Sequence, residues 1–200
     1  MRSPNRDDSW PDIQPAPRLE DELARTLAAI TTHRWRAVLN YRRSKKPAAR
    51  KGEPWPVTSD AARIAAHVRA GGNLGLITDE KTGLAVLDAD YLLPMADMIE
   101  ALGQPAACWV ETGRARLHYY VEWIDDLPAQ LSWRDEPIGQ IQRGPGQQQI
   151  LCPPSTHPST GLRYRWLVDP TIQPIEPLPA EWRAYLRALT YDARYGSRYR

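Results

Sequence analysis

The stretch NLGLITDEKTGLAVLDAD, residues 73–90, constrains the chain more than any other. Two apolar runs flank the polar turn DEKTG, a pattern that reads as a β-hairpin. The second run stays apolar until it ends in two carboxylates. On an extended strand, side chains at i and i+2 share a face with Cα atoms about 7 Å apart, so Asp88 and Asp90 point at one place. Such a pair repels itself and resists burial, and a bound Mg²⁺ or Mn²⁺ relieves both penalties. Two divalent ions about 3.5–4 Å apart suit phosphoryl chemistry, where they clamp the attacking and leaving oxygens. A polar strand end that runs into solvent gives the same short pattern.

The rest of the chain alternates helices with short strands. Residues 1–17 are rich in proline and charge and read as a flexible arm. Leu19, Leu23, Leu27 and Ile30 recur at helical spacing. WRAVLNY reads as a strand, and Thr58, Ser59 and Asp60 offer N-caps for a helix with Ala61, Ile64, Ala65 and Val68 on one face. Leu92 to Leu102 reads as a helix closed by Gly103. ACWVET and LHYYVEW form a strand pair around the turn GRAR, IGQIQR and QQQILC form another, and LRYRWLV is a last strand. Residues 169–180 carry four prolines and read as a linker or surface strap, with a short helix and a basic tail in 181–200. Helices and antiparallel hairpins without strict βαβ alternation indicate an α+β fold. The expected division is an arm (1–17), a central domain (18–168), the linker, and the C-terminal helix and tail.

Hydrophobic content of 42% with 25% charged residues is ordinary for a globular chain, and no apolar run approaches the roughly 20 residues that span a bilayer. No secretory signal is evident, so the expected location is the cytoplasm, with Cys108 and Cys152 as reduced core thiols and no membrane partner. The net charge of +2 is small, but from Arg34 to Lys51 there are eight basic residues and no acidic one. That segment suits a phosphate backbone through Arg42, Arg43, Lys45 and Lys46, and equally suits a solvated loop.

Two further groups carry chemistry. In TGRARLHYY, His118 follows a tight turn, and its imidazole can hydrogen-bond a phosphate beside Arg114 and Arg116. In CPPSTHPSTG, two prolines stiffen a loop that presents Ser155 and His157, a hydroxyl and an imidazole suited to phosphate or ribose. Each group also has a plain structural reading, as a core histidine and a surface turn.

In order and spacing, NLGLIT, GLAVLDAD, ETGRARLHYY and QIQRGPGQQQILCPPSTHPSTGLRYRW resemble the bifunctional primase-polymerase domain of plasmid and phage replication proteins, a branch of the archaeo-eukaryotic primase superfamily. The resemblance runs from about Trp35 to Trp166. It implies an α/β lobe packed on a lobe like the RNA-recognition motif, with mainly antiparallel strands and the catalytic groups in the cleft. It implies DNA-directed nucleotidyl transfer, adding a dNTP or NTP to a 3′-hydroxyl or an initiating nucleotide on single-stranded or primer-template DNA, with a helicase or another replication partner. Asp88 and Asp90 then bind two Mg²⁺ or Mn²⁺ ions. His118, Arg114, Ser155 and His157 meet the triphosphate.

The chain departs from that pattern twice. The family's glycine-bearing turn is here GRARLH. Where the family places a third acidic ligand, completing the catalytic and metal set, the position falls on Gln140, with Glu136 four residues away. Glutamine keeps glutamate's shape but lacks its charge and offers an NH₂ donor. This departure supports an alternative, a nucleotide- and DNA-binding replication-initiation module with impaired turnover. A metal-dependent nuclease built on the same aspartates is a third reading.

Overall fold

The structure is a computed structural model that describes residues 18–196 apart from 90–91, 128, 134–135 and 144–147. The proposed arm and Asp90 therefore lie outside the described residues. Side chains are described except for 92–96, 132–138 and 189–196 within that range.

Helix α1 (Leu19–His33) carries acidic residues in its first turn, where the helix dipole favours them, and buries Leu23, Thr26, Ala29 and Ile30. Strand β1 (Ala37–Asn40) is buried along its length, and the basic loop then leads to the two-residue strand β2 (Val57–Thr58). Helix α2 (Ala61–Arg69) starts where Asp60 accepts the backbone N–H groups of Ala62 and Arg63 at 2.8 and 3.1 Å. Ile64, Ala65 and Val68 are its buried face, while Ala61 is exposed. Strands β3 (Asn73–Ile77) and β4 (Leu84–Ala89) follow, both fully buried. Helix α3 (Leu92–Leu102), β5 (Cys108–Glu111), β6 (Leu117–Glu122), β7 (Gln130–Trp133), β8 (Glu136–Gln142), β9 (Gln149–Leu151), β10 (Arg165–Val168) and α4 (Ala180–Gly196) complete the order.

Among the described residues every strand pairing is antiparallel, in two sheets: β2-β1-β3-β9, and β10-β5-β6-β4-β8-β7. The mixed α+β expectation holds. Two expected hairpins do not. β3 and β4 belong to different sheets, because β3 is flanked by β1 and β9 while β4 is flanked by β6 and β8. Between them DEKTG forms a single 3-10 turn (Glu80–Thr82), closed by a reciprocal capping box between Asp79 and Thr82. Likewise β8 and β9, read as partners in sequence, separate: β8 joins β4 and β7, while β9 pairs with β3 through Gly75↔Leu151 and Leu76↔Ile150. β7 lies in what the sequence suggested was a polar connection, and α4 runs further than the expected short helix.

The six-stranded sheet is covered on both faces. One face, with Leu84, Val86, Cys108, Val110 and Tyr120, packs with Leu39, Leu74 and Leu76 of the smaller sheet and with α1 and α2. The other, with Ala85, Leu87, Tyr119 and Val121, packs with Met98 of α3 and with Trp182 and Leu186 of α4. After β10 the proline-rich segment lies along this sheet, where Glu176 accepts the N–H of Glu122 at 3.0 Å and Gln173 accepts the Cys108 thiol at 2.8 Å. Burial pushes that thiol up to about 12, and both cysteines are free and buried, as expected of core residues. Among the described residues no helix is long and apolar enough to cross a membrane.

Three buried polar contacts hold α1 to the second half of the chain. Glu22 accepts the N–H of Trp166 at 2.9 Å, the Trp166 indole donates to Thr26 at 2.9 Å, and Thr26 donates to the Pro153 carbonyl at 2.8 Å. Each satisfies a group that would otherwise be orphaned on burial. Together they fix the approach of the PPSTH loop.

Candidate active site

Strand β4 runs between β6 and β8, and the register sets His118, Asp88 and Gln140 side by side across the three strands. Directly opposed antiparallel residues have Cβ atoms about 4.5–5.5 Å apart, so the three side chains must interact. His118 Nε2 lies 3.2 Å from Asp88 Oδ1, and Gln140 Nε2 donates to Asp88 Oδ2 at 3.3 Å. Asp88 as a residue is 8% exposed. Burial is the largest single influence on it and pushes its pKa up, but the contacts to His118 and Gln140 and the charge of Lys45 together outweigh burial, leaving it below the usual carboxylate range. Asp88 is thus held as an anion. His118 is buried, and among the described residues its Nδ1 has no hydrogen-bond partner.

Close backbone approach makes the row possible. A Cβ at Gly139 would come within 2.4 Å of the Asp88 carbonyl oxygen, so only glycine lets β8 lie this close to β4 beside the row. Gly113, in the turn between β5 and β6, has the same role toward the PPSTH loop: a Cβ there would meet His157 Cβ at 2.4 Å and the Leu162 carbonyl oxygen at 2.6 Å. Two residues on, Ala115 occupies left-handed backbone with φ 54°.

The PPSTH loop is held by its own polar groups. Ser155 Oγ accepts the N–H of Leu74 at 2.8 Å and donates to the Leu74 carbonyl at 2.9 Å, with the residue 2% exposed. Its hydroxyl is a strut between loop and β3. His157 Nδ1 receives the N–H groups of Ser159 and Thr160 at 3.3 and 3.4 Å, so the neutral ring carries its proton on Nε2. Burial, then the charges of Arg114, Lys45 and Arg116, lower its pKa and keep it neutral near pH 7. The rings of His157 and His118 both lie against Tyr164, with centroids 6.1 and 5.8 Å away. Arg114 donates to Ser159 Oγ at 3.1 Å.

The basic loop folds toward this site. Asn73 donates to the Ser44 carbonyl at 3.1 Å and to the Thr156 carbonyl at 2.8 Å, and accepts the Thr156 N–H at 2.9 Å, clamping the basic loop and the PPSTH loop to the start of β3. Gln149 donates to the Lys45 carbonyl at 3.0 Å. Of the four basic residues singled out in sequence, Lys45 reaches a small cavity of about 90 Å³ that Asp88, His118, Gln142, Gln149 and Tyr164 also line. Arg43 instead donates to the Pro158 carbonyl at 3.4 Å, Arg42 lies near Gly71, and Lys46 is exposed. Tyr164 also lines a second cavity of about 400 Å³ beside the Thr112–Ala115 turn, with Glu22, Glu111 and Arg165. Sequence reading passed over Tyr164, Gln142 and Gln149. The period of two from Gln140 to Gln142 was the available signal for one of them.

The donor set bears on metal binding. At the β8 positions opposite Asp88 and Val86 stand Gln140 and Gln142, both neutral. Glu136, the nearby acidic residue, pairs with Trp133, about 13 Å along the strand at roughly 3.3 Å per residue. Among the described residues no group of three His, Cys, Asp or Glu is placed to hold a metal ion. The described donors, one carboxylate and one amide oxygen, do not by themselves make a cage for two divalent ions, and Asp90, the second expected ligand, lies outside the described residues.

A search of curated proteins finds no match. A family profile described as bifunctional DNA primase/polymerase, N-terminal, matches residues 26–181, a span that takes in all ten described strands and the second half of α1. Since the match covers well over half of the chain and includes the row across β6, β4 and β8, the protein belongs to the bifunctional DNA primase/polymerase family.

Proposed function

We propose that the chain is a DNA-directed nucleotidyltransferase that adds nucleotides to a 3′-hydroxyl or to an initiating nucleotide and releases pyrophosphate, within the replication of plasmid or phage DNA in the cytoplasm. The observation that carries this reading is the row of His118, Asp88 and Gln140 beside a cavity reached by Lys45. In this reading residues 18–168 form the catalytic unit, the six-stranded sheet is its lobe like the RNA-recognition motif, and 181–200 is an appended helix and tail. Asp88 keeps a negative charge at the site and orients His118. The neutral His157 offers an N–H, and Arg114, tied to the same loop, offers charge to a triphosphate. Arg42, Arg43 and Lys46 are exposed on the basic loop, where a template strand can meet them. Mg²⁺ or Mn²⁺ dependence is an expectation that rests on Asp88 together with Asp90, and a helicase is the expected partner.

Gln140 favours a second reading, a module that binds nucleotide and DNA for replication initiation with little turnover. A carboxylate at this position would complete the acidic set, whereas the amide donates to Asp88. Primer extension with dNTPs and Mn²⁺ or Mg²⁺, using the parent chain, Gln140→Glu and Asp88→Asn, separates the two. Extension by the parent that Asp88→Asn abolishes supports the polymerase. Intact nucleotide binding with no extension from the parent or Gln140→Glu supports the binding module and sinks the polymerase.

A further inference from the structure

Two amide side chains from different strands fix the backbone of the basic loop at one point. Asn73 of β3 holds the Ser44 carbonyl and Gln149 of β9 holds the Lys45 carbonyl, so the four-carbon stem of Lys45 starts from an anchored position at the edge of the site. An anchored backbone removes much of the entropy that a mobile lysine loses when it binds a ligand. The side chain lines the cavity with Asp88 and His118, although the residue itself is exposed and plays no part in the core. Arg114 is tied to Ser159, and its charge, like that of Lys45, acts on His157.

Charge balance turns this placement into an argument. A nucleoside triphosphate brings about four negative charges near neutral pH, which must be met on binding. At the two β8 positions that face the site, where acidic side chains would recruit divalent counter-ions, the chain has Gln140 and Gln142. Lys45 is a compact ammonium of the kind that binds phosphate as a point charge.

We propose that Lys45 binds the phosphates of the nucleotide directly and that this chain holds a nucleoside triphosphate without a divalent cation. The inference rests on the reading of the site as a nucleotide site. It reassigns Lys45 from the nucleic-acid backbone to the nucleotide, and it separates nucleotide retention from any metal needed for transfer.

Calorimetric titration of a dNTP into the full chain tests it, once with EDTA and once with Mn²⁺. Parallel titrations use Lys45→Ala, Lys45→Arg and Lys81→Ala. Lys81 is exposed in the turn before β4, at the end of that strand away from Asp88, and serves as the control for general loss of positive charge. The expected result is parent affinity in EDTA within about threefold of that in Mn²⁺, with a loss of roughly tenfold or more for Lys45→Ala under both conditions, the size of one charge-assisted contact. Lys45→Arg retains most of the affinity and Lys81→Ala matches the parent. Melting temperatures confirm that the variants are folded. Parent binding that vanishes in EDTA, or Lys45→Ala binding as tightly as the parent, overturns the inference and leaves the nucleotide site standing. Absence of binding under both conditions overturns the nucleotide site itself.

Discussion

Gln140 faces Asp88 across two adjacent strands and donates its amide N–H to the carboxylate at 3.3 Å. The amide satisfies the second oxygen of a buried anion whose first oxygen meets His118. In the absence of a metal this arrangement is self-sufficient. Replacing Gln140 by glutamate sets two carboxylates side by side, with a repulsion of about 2–4 kcal/mol at roughly 4 Å and an effective dielectric constant near 20 to 40. Gln140→Glu is therefore expected to melt several degrees below the parent in EDTA, and Mn²⁺ is expected to restore more stability to the variant than to the parent. Thermal melts with and without Mn²⁺ decide it, and an equal Mn²⁺ response in both chains counts against Gln140 standing at a metal position.

Ser155 tests whether the PPSTH loop works by contact or by placement. Its hydroxyl bonds both polar groups of Leu74 in a buried position; the Leu74 carbonyl keeps the Cys152 N–H at 3.1 Å, so Ser155→Ala orphans the Leu74 N–H, at a cost of about 2–3 kcal/mol. For a domain of this size that is a fall of roughly 4–12 °C in melting temperature. Because the hydroxyl is already engaged, dNTP affinity measured well below the transition should change by less than about threefold. Loss of affinity with unchanged stability would return Ser155 to the role of a direct phosphate ligand.

Most strands were legible in the sequence, and their partners were legible only in part. The apolar runs at Leu74–Ile77 and Leu84–Ala89 announce two buried strands, and chain-local reasoning then pairs them through DEKTG. What decides against that pairing is tertiary: both edges of β3 are taken by β1 and β9, and both edges of β4 by β6 and β8. The same holds for β8 and β9. The β5–β6 hairpin was legible because a tight turn does join two strands of one sheet. For the site, the order of Asp88 and then His118 along the chain pointed to one place, now the adjacent strands β4 and β6. The arrival of Lys45 did not, because it depends on amide contacts from residues 29 and 104 positions away in sequence.

The turn carrying GRAR offers a stabilising change. Ala115 has φ 54°, backbone that costs a non-glycine residue roughly 1–2 kcal/mol. Ala115→Gly relieves that strain and also loosens the unfolded chain, so the expected net gain is about 0.5–1 kcal/mol, or some 1–4 °C in melting temperature. A lower melting temperature in Ala115→Gly would mean that the alanine methyl group makes packing contacts worth more than the strain.

Glu22 sets a pH dependence with a definite sign. Burial against β10 is the largest influence on its carboxyl and raises its pKa above the ordinary 4.5, while the Trp166 N–H and the Arg25 charge only partly offset it. A carboxyl that holds its proton more tightly in the folded chain binds more protons there than in the unfolded chain, across the window from the ordinary value up to the raised one. Stability from this residue is therefore complete below about pH 4.5 and declines as pH rises through that window. Asp88 has the opposite sign, since its lowered pKa costs stability only as pH falls below the ordinary carboxylate range. The two windows do not overlap, which lets one variant isolate Glu22. Glutamine keeps an oxygen for the Trp166 N–H but never ionises, so Glu22→Gln should gain stability relative to the parent as pH is raised from 4 to 7. Urea midpoints at each pH measure that difference; a constant difference would show that Glu22 ionises alike in the folded and unfolded chains, and that its burial against Trp166 carries no charge penalty.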